Sequence, residues 1–324
     1  TGVDRIIGYG DAGNDVILVR EGVDADLLFD GGSGIDLVDY QGSGRAIINK
    51  TDNATDFGDQ ITIGRFAAAG SEVYGTNVTR PLADGETASL LGDRIISRST
   101  NSITIDAKGG DDFIQQLGAG AATIRAGAGN DIVFGGAGND NINGGSGVDE
   151  IDGGEGSDTI DGGNGVDLIF RTLEAAGILT VNGTGAQDTV FVTGSARADT
   201  ARVTKGSVEI RNGDNTRGVN IRGGAGTVQV QLLGGNDTVI IDDISGQNVN
   251  RLIIEVIGID FVGRQVRLIV RGRVKGRLTA TPTRSSSTAA PGWIRSRCCR
   301  TLLMPATSRL MQSGTGPIPR LRSC

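Results

Sequence analysis

Five aspartates stand nine residues apart: Asp131, Asp140, Asp149, Asp158 and Asp167. Each closes a short turn that has one glycine four residues earlier (Gly127, Gly136, Gly145, Gly154, Gly163) and another two residues earlier (Gly129, Gly138, Gly147, Gly156, Gly165). Glycine reaches positive φ without a Cβ clash, so such a turn bends tightly and can present its carbonyls on one side. The aspartate adds a carboxylate to those carbonyls. Together they form a set of hard oxygen donors of the kind calcium prefers. The chain has no histidine in 324 residues, which excludes imidazole metal sites, the HExxH motif and any Ser-His-Asp or Cys-His pair.

Such turns need a frame that repeats as regularly as they do. Two residues after each aspartate comes a β-branched aliphatic: Val133, Ile142, Ile151, Ile160 and Ile169. The blocks from Ala126 to Phe170 read AGAGNDIVF, GGAGNDNIN, GGSGVDEID, GGEGSDTID and GGNGVDLIF without a slip. A glycine turn followed by three extended residues, the middle one pointing inward, is half of a flattened coil. Two units make a coil of 18 residues, so alternate turns stack on one edge. Asp131, Asp149 and Asp167 then line one edge, and Asp140 and Asp158 the other. The period predicts an all-β, stacked parallel roll or solenoid. Stacked carboxylates about 5 Å apart repel by ~1 kcal/mol per pair in water and several-fold more when partly desolvated. A divalent cation turns that repulsion into attraction, so the expected metal-free form is loose or disordered and the metal-bound form rigid.

These blocks resemble the GGxGxDxUx nonapeptides of the RTX (repeats-in-toxin, haemolysin-type) calcium-binding β-roll, where U is a large aliphatic residue. The resemblance is strong over the 45 residues 126–170 and patchy elsewhere. It implies calcium between each turn and the turn one coil on, hence three full sites: Asp131 with Asp149, Asp140 with Asp158, and Asp149 with Asp167. It also implies that the ten turn glycines supply carbonyls, that the chain passes through a type I secretion apparatus, and that it folds outside the cell or at its surface.

Outside the block the chain divides by texture. Residues 1–40 hold worn repeats: GGSGIDLVD (Gly31–Asp39) is a full match with Asp36, GDAGNDVIL (Gly10–Leu18) keeps Asp15, and Glu21–Phe29 keeps Asp24, Asp26 and Leu28. Their spacing is out of phase, so bulges are expected to absorb the extra residues. Residues 41–106 lack the turn motif but keep alternating runs (RAIIN, QITIG, NSITID), read as irregular solenoid coils with Gly70–Thr87 as a projecting loop. Residues 107–170 form the roll, led in by AKGGDDFIQ with Asp112 and by LGAGAATIR, where Ala122 stands in the aspartate place. Residues 171–260 continue as half-buried strands, with Asp188 and Asp237 as turn formers or ligands.

Residues 261–324 differ. They carry 13 of the 31 basic residues and none of the 38 acids, so the first 260 residues have a net charge of −20. All three cysteines (Cys298, Cys299, Cys324) lie here, without metal-site spacing. The expectation is a disordered or irregular tail, read either as a basic arm or as out-of-frame translation. No apolar run approaches the ~18 residues of a membrane-crossing helix. The chain begins at Thr1 and is read as a fragment or a processed form. Functionally it is expected to be a non-enzymatic calcium-binding module. The alternative is an accessory solenoid of a secreted polysaccharide-active enzyme working through carboxylates.

Overall fold

The computed structural model describes residues 3–49, 59–75, 92–172, 177–182, 187–213, 215–222, 225–242, 249–256, 265–271, 277–282 and 301–305. All regular structure among them is β-strand. Among the described residues the strands form two sheets, of fifteen and twelve strands, and successive strands alternate between them except for three consecutive ones, Thr200–Val203, Ser207–Asn212 and Asn215–Arg222, which all lie in the larger sheet. Pairing through the nonapeptide block is parallel. Ile132–Phe134, Glu150–Asp152 and Leu168–Thr172 stack in the smaller sheet, and Ala122–Ala128, Asn141–Gly147 and Thr159–Gly165 in the larger. The fold is a parallel β-roll continuing into a β-solenoid.

The aliphatic period sets the register. Val133 faces Ile151, which faces Ile169, and Ile124 faces Ile142, which faces Ile160. All six are at most 1% exposed and belong to one core running from Val19 to Leu268. Each such side chain contributes about 1.5–3 kcal/mol by leaving water. A one-residue slip would turn every one of them to the surface, which holds the turns in line.

The turns stack backbone on backbone. Gly147 and Gly165 have φ of 134° and 141°. A Cβ at Gly165 would lie 1.6 Å from the Gly147 carbonyl oxygen, and one at Gly147 would lie 1.8 Å from that of Gly129. Only glycine fits both the dihedral and the contact. Nine of the ten turn glycines have positive φ, Gly138 being the exception.

Several parts differ from the expectation. In the Glu21–Phe29 block Leu28 does not take the inward place, because Leu27 and Phe29 fill the core on either side of it. The Gly70–Thr87 span opens with the strand Ser71–Tyr74, and its remainder from residue 76 lies outside the described residues. Beyond the block the solenoid is not purely parallel. Thr200–Val203, Ser207–Asn212 and Asn215–Arg222 pair antiparallel in sequence. Their connections are three and two residues long, which suffices for a hairpin but not for the crossover a parallel pair needs. In the basic segment after residue 260 the strands Gln265–Val270, Arg277–Pro282 and Thr301–Pro305 are described together with Arg271, and the rest of it, with all three cysteines, lies outside the described residues.

Candidate metal centre

The coils bring the predicted aspartates into columns. On one edge Oδ1 of Asp149 accepts the backbone N–H of Asp131 (3.0 Å), and Oδ1 of Asp167 accepts that of Asp149 (3.1 Å). The column extends both ways. Asp131 accepts from Asp112 (2.8 Å), Asp112 from Asp93 (2.6 Å), Asp59 from Asp36 (2.9 Å), Asp36 from Asp15 (2.9 Å), and Asp188 from Asp167 (3.0 Å). Asp93 accepts from Asp59 and closes the series. The opposite edge is shorter: Asp158 accepts from Asp140 (3.1 Å) and Asp140 from Ala122 (2.7 Å).

One oxygen of each carboxylate therefore ties coil to coil. The second oxygen, Oδ2, of Asp15, Asp36, Asp112, Asp131, Asp140, Asp149 and Asp167 is buried and meets no hydrogen-bond donor. Such an atom costs about 1–3 kcal/mol when neutral and more when charged. Elsewhere the fold supplies a donor to the same oxygen: the Asn49 amide at Asp59, and the Ser195 N–H at Asp199 (2.7 Å). The buried oxygens without donors concentrate where the glycine turns are intact.

Five of these seven oxygens border a space that the glycine opening the turn keeps clear; for Asp112 and Asp131 the opening residue is Ala107 and Ala126. A Cβ at Gly135, Gly144 or Gly162 would lie 2.8, 2.5 and 2.5 Å from Oδ2 of Asp140, Asp149 and Asp167. At Gly135 and Gly144 it would also meet a carbonyl oxygen of the next coil, from Gly153 (2.7 Å) and Gly162 (2.5 Å). The same relation links Gly10 to Asp15 and Gly31 to Asp36. No three His, Cys, Asp or Glu side chains converge among the described residues. The donor set is carbonyl-rich and made of oxygen alone, which suits calcium and not zinc.

Residues 117–151 and 143–171 match the family described as RTX calcium-binding nonapeptide repeat, in four copies. The chain carries RTX calcium-binding repeats. The match covers the five nonapeptides whose aspartates stack on the two edges and the turn before them, where Ala122 takes the aspartate place. A search of curated proteins returns no match.

Electrostatics in the RTX block favour a cation. Burial pushes the carboxyls of Asp131 and Asp140 up to about 7 and those of Asp149 and Asp158 to about 6, against an ordinary 3.8. Backbone N–H donors oppose that rise. Neighbouring aspartates add to it at Asp131, Asp140 and Asp149, and Arg171 opposes it at Asp158. Asp112, Asp36 and Asp167 are raised by the same burial. A group whose folded value is raised stabilises the metal-free fold below its unfolded value, near 3.8, and that stability is lost as pH rises through 6–7. Calcium needs the ionised form, so protons and calcium compete for the same oxygens. Apparent calcium affinity should therefore fall as pH drops from 8 to 5, approaching tenfold per pH unit for each proton displaced. Titrations across that range, with proton release followed in weak buffer, measure this. Affinity that stays flat would mean the carboxyls are ionised before calcium arrives.

Two aspartates of the long column, Asp59 and Asp93, were not among the positions expected from the repeats, and a third, Asp188, was left open between turn former and ligand. Their turns lack the full glycine pattern. What they share with the RTX block is an aspartate two residues before a buried aliphatic: Ile61, Ile95 and Val190.

Proposed function

We propose that the chain is a non-catalytic calcium-binding module of a secreted or cell-surface protein. It leaves the cell unfolded through a type I secretion apparatus and folds on meeting external calcium. The observation that carries this reading is the set of buried Oδ2 atoms without donors, of which those of Asp15, Asp36, Asp140, Asp149 and Asp167 each lie beside a space kept clear by a glycine. Asp131, Asp140, Asp149 and Asp167 would each give Oδ2, Asp149, Asp158, Asp167 and Asp188 stand one coil on, and the turn glycines give carbonyls. Asp112, Asp36 and Asp15 extend the same arrangement along the long edge. Bound calcium would neutralise the stacked carboxylates and cross-link successive coils.

Extracellular modules commonly bind calcium at about 10⁻⁴–10⁻³ M. That is well above the calcium level of a producing cell's interior and at or below the level outside, so one affinity serves both states. No helix among the described residues is long and apolar enough to cross a membrane. Calorimetric titration of the chelator-stripped chain with calcium, with magnesium as control, tests the proposal. The expected result is at least three calcium ions per chain in that affinity range, and little response to magnesium, which demands tighter octahedral geometry. No calcium uptake, or an equal response to magnesium, would overturn it.

A further inference from the structure

We propose that Arg171 is a built-in cation, seated in the one RTX cradle that calcium does not take. The inference rests on the calcium reading above. Arg171 lies in the strand Leu168–Thr172, and since Phe170 faces Asp152, it stands one coil after Gly153. In the nonapeptide period it holds the turn-opening place that is glycine at 135, 144, 153 and 162.

Its guanidinium reaches back into the preceding coil. Nη1 donates to the Gly154 carbonyl (2.7 Å) and to Oδ2 of Asp158 (3.4 Å), and Nη2 donates to the carbonyls of Gly156 (3.4 Å) and Gly177 (2.9 Å). Gly154, Gly156 and Asp158 are the second, fourth and sixth residues of the fourth repeat. These are the places that offer oxygen donors in the other repeats. Gly177 belongs to the next coil, where it stacks on Gly156. The side chain is 2% exposed, the largest fully buried one among the described residues. Asp158 is accordingly the one aspartate of the five whose Oδ2 has a donor.

The following coil explains why a cation is needed there and why calcium suits it poorly. Thr180 faces Thr159, so Leu179 stands where the column would place its next aspartate. A calcium ion at this turn would find a carboxylate on one side only, and calcium affinity falls with the number of charged ligands. A guanidinium carries a single charge and a fixed fork of donors, which matches one carboxylate and three carbonyls. The metal column of this edge then ends at Asp140. The last RTX coil is clamped to the solenoid that follows whether or not calcium is present.

Arg171→Gly restores the glycine of the period, and Arg171→Lys keeps the charge. Both are compared with the wild-type full chain by calorimetric calcium titration and by thermal melts in calcium-free and calcium-containing buffer. Arg171→Gly should bind one more calcium ion per chain than wild type, more weakly than the sites flanked by two carboxylates. It should melt lower without calcium, and the deficit should narrow as calcium is raised. Arg171→Lys should keep the wild-type count. An unchanged count in Arg171→Gly, or a deficit that calcium does not narrow, would overturn the proposal. So would its failure to fold at any calcium concentration, or an extra ion in Arg171→Lys. A wild-type chain that takes up no calcium would instead sink the function proposed above. Equal uptake by wild type and Arg171→Gly sinks only the arginine assignment.

Discussion

Treatment with a calcium chelator at neutral pH should collapse the RTX block, with loss of much of its β-type circular dichroism and rapid hydrogen exchange across residues 126–170. Four of its five aspartates, Asp131, Asp140, Asp149 and Asp167, bury an Oδ2 atom that the protein does not satisfy. Each ion bound at a hundred times its Kd stabilises the fold by about 2.7 kcal/mol, so three sites sum to roughly 8 kcal/mol. That is comparable with the entire stability of a typical domain, about 5–15 kcal/mol. The aliphatic column cannot compensate, since each coil contributes only two inward side chains from the repeats. The melting temperature of this segment should fall by roughly 20 °C or more. Coils in a solenoid contact only their neighbours, so the strands after Arg171 should lose less protection than the block. A stripped sample with an unchanged β spectrum and an unchanged melt would end the calcium-dependent reading.

The roll was legible in the sequence because three separate requirements recur together. The turn demands glycine, the edge demands aspartate and the core demands a β-branched residue, all within nine residues. Val133, Ile151 and Ile169 fall into one buried column as that period requires. Where one requirement lapses, the pattern fades before the structure does. Asp59 and Asp93 continue the column through coils of 34 and 19 residues, because the ladder needs only an aspartate entering a strand and not a fixed coil length. Arg171 was not legible, since its partners lie 6 to 17 residues away and meet it only after the coil closes. The antiparallel strands between Thr200 and Arg222 also escaped, because alternation of buried and exposed residues is the same in both directions of pairing.

Asp149→Ala should remove two calcium ions, whereas Asp140→Ala should remove one. From the repeats alone, Asp149 is shared by two sites while Asp131 ends its column. The coils change that comparison. Asp131 accepts the N–H of Asp112 just as Asp149 accepts that of Asp131, so both sit between two carboxylates. Asp140 is different: its neighbour on the preceding coil is Ala122, which has no carboxylate to share. Asp131→Ala and Asp149→Ala should therefore lose calcium equally, and both should lose more than Asp140→Ala. At calcium tenfold above Kd, each lost site removes about 1.4 kcal/mol, so the two classes should differ by about that amount in stability. The penalty should shrink in calcium-free buffer and even change sign, because alanine there deletes a buried carboxylate that has nothing to neutralise it. Stoichiometry for the three variants, with melts at two calcium levels, decides the matter. Equal losses from Asp149→Ala and Asp140→Ala would show that each ion is held within a single turn and not between coils.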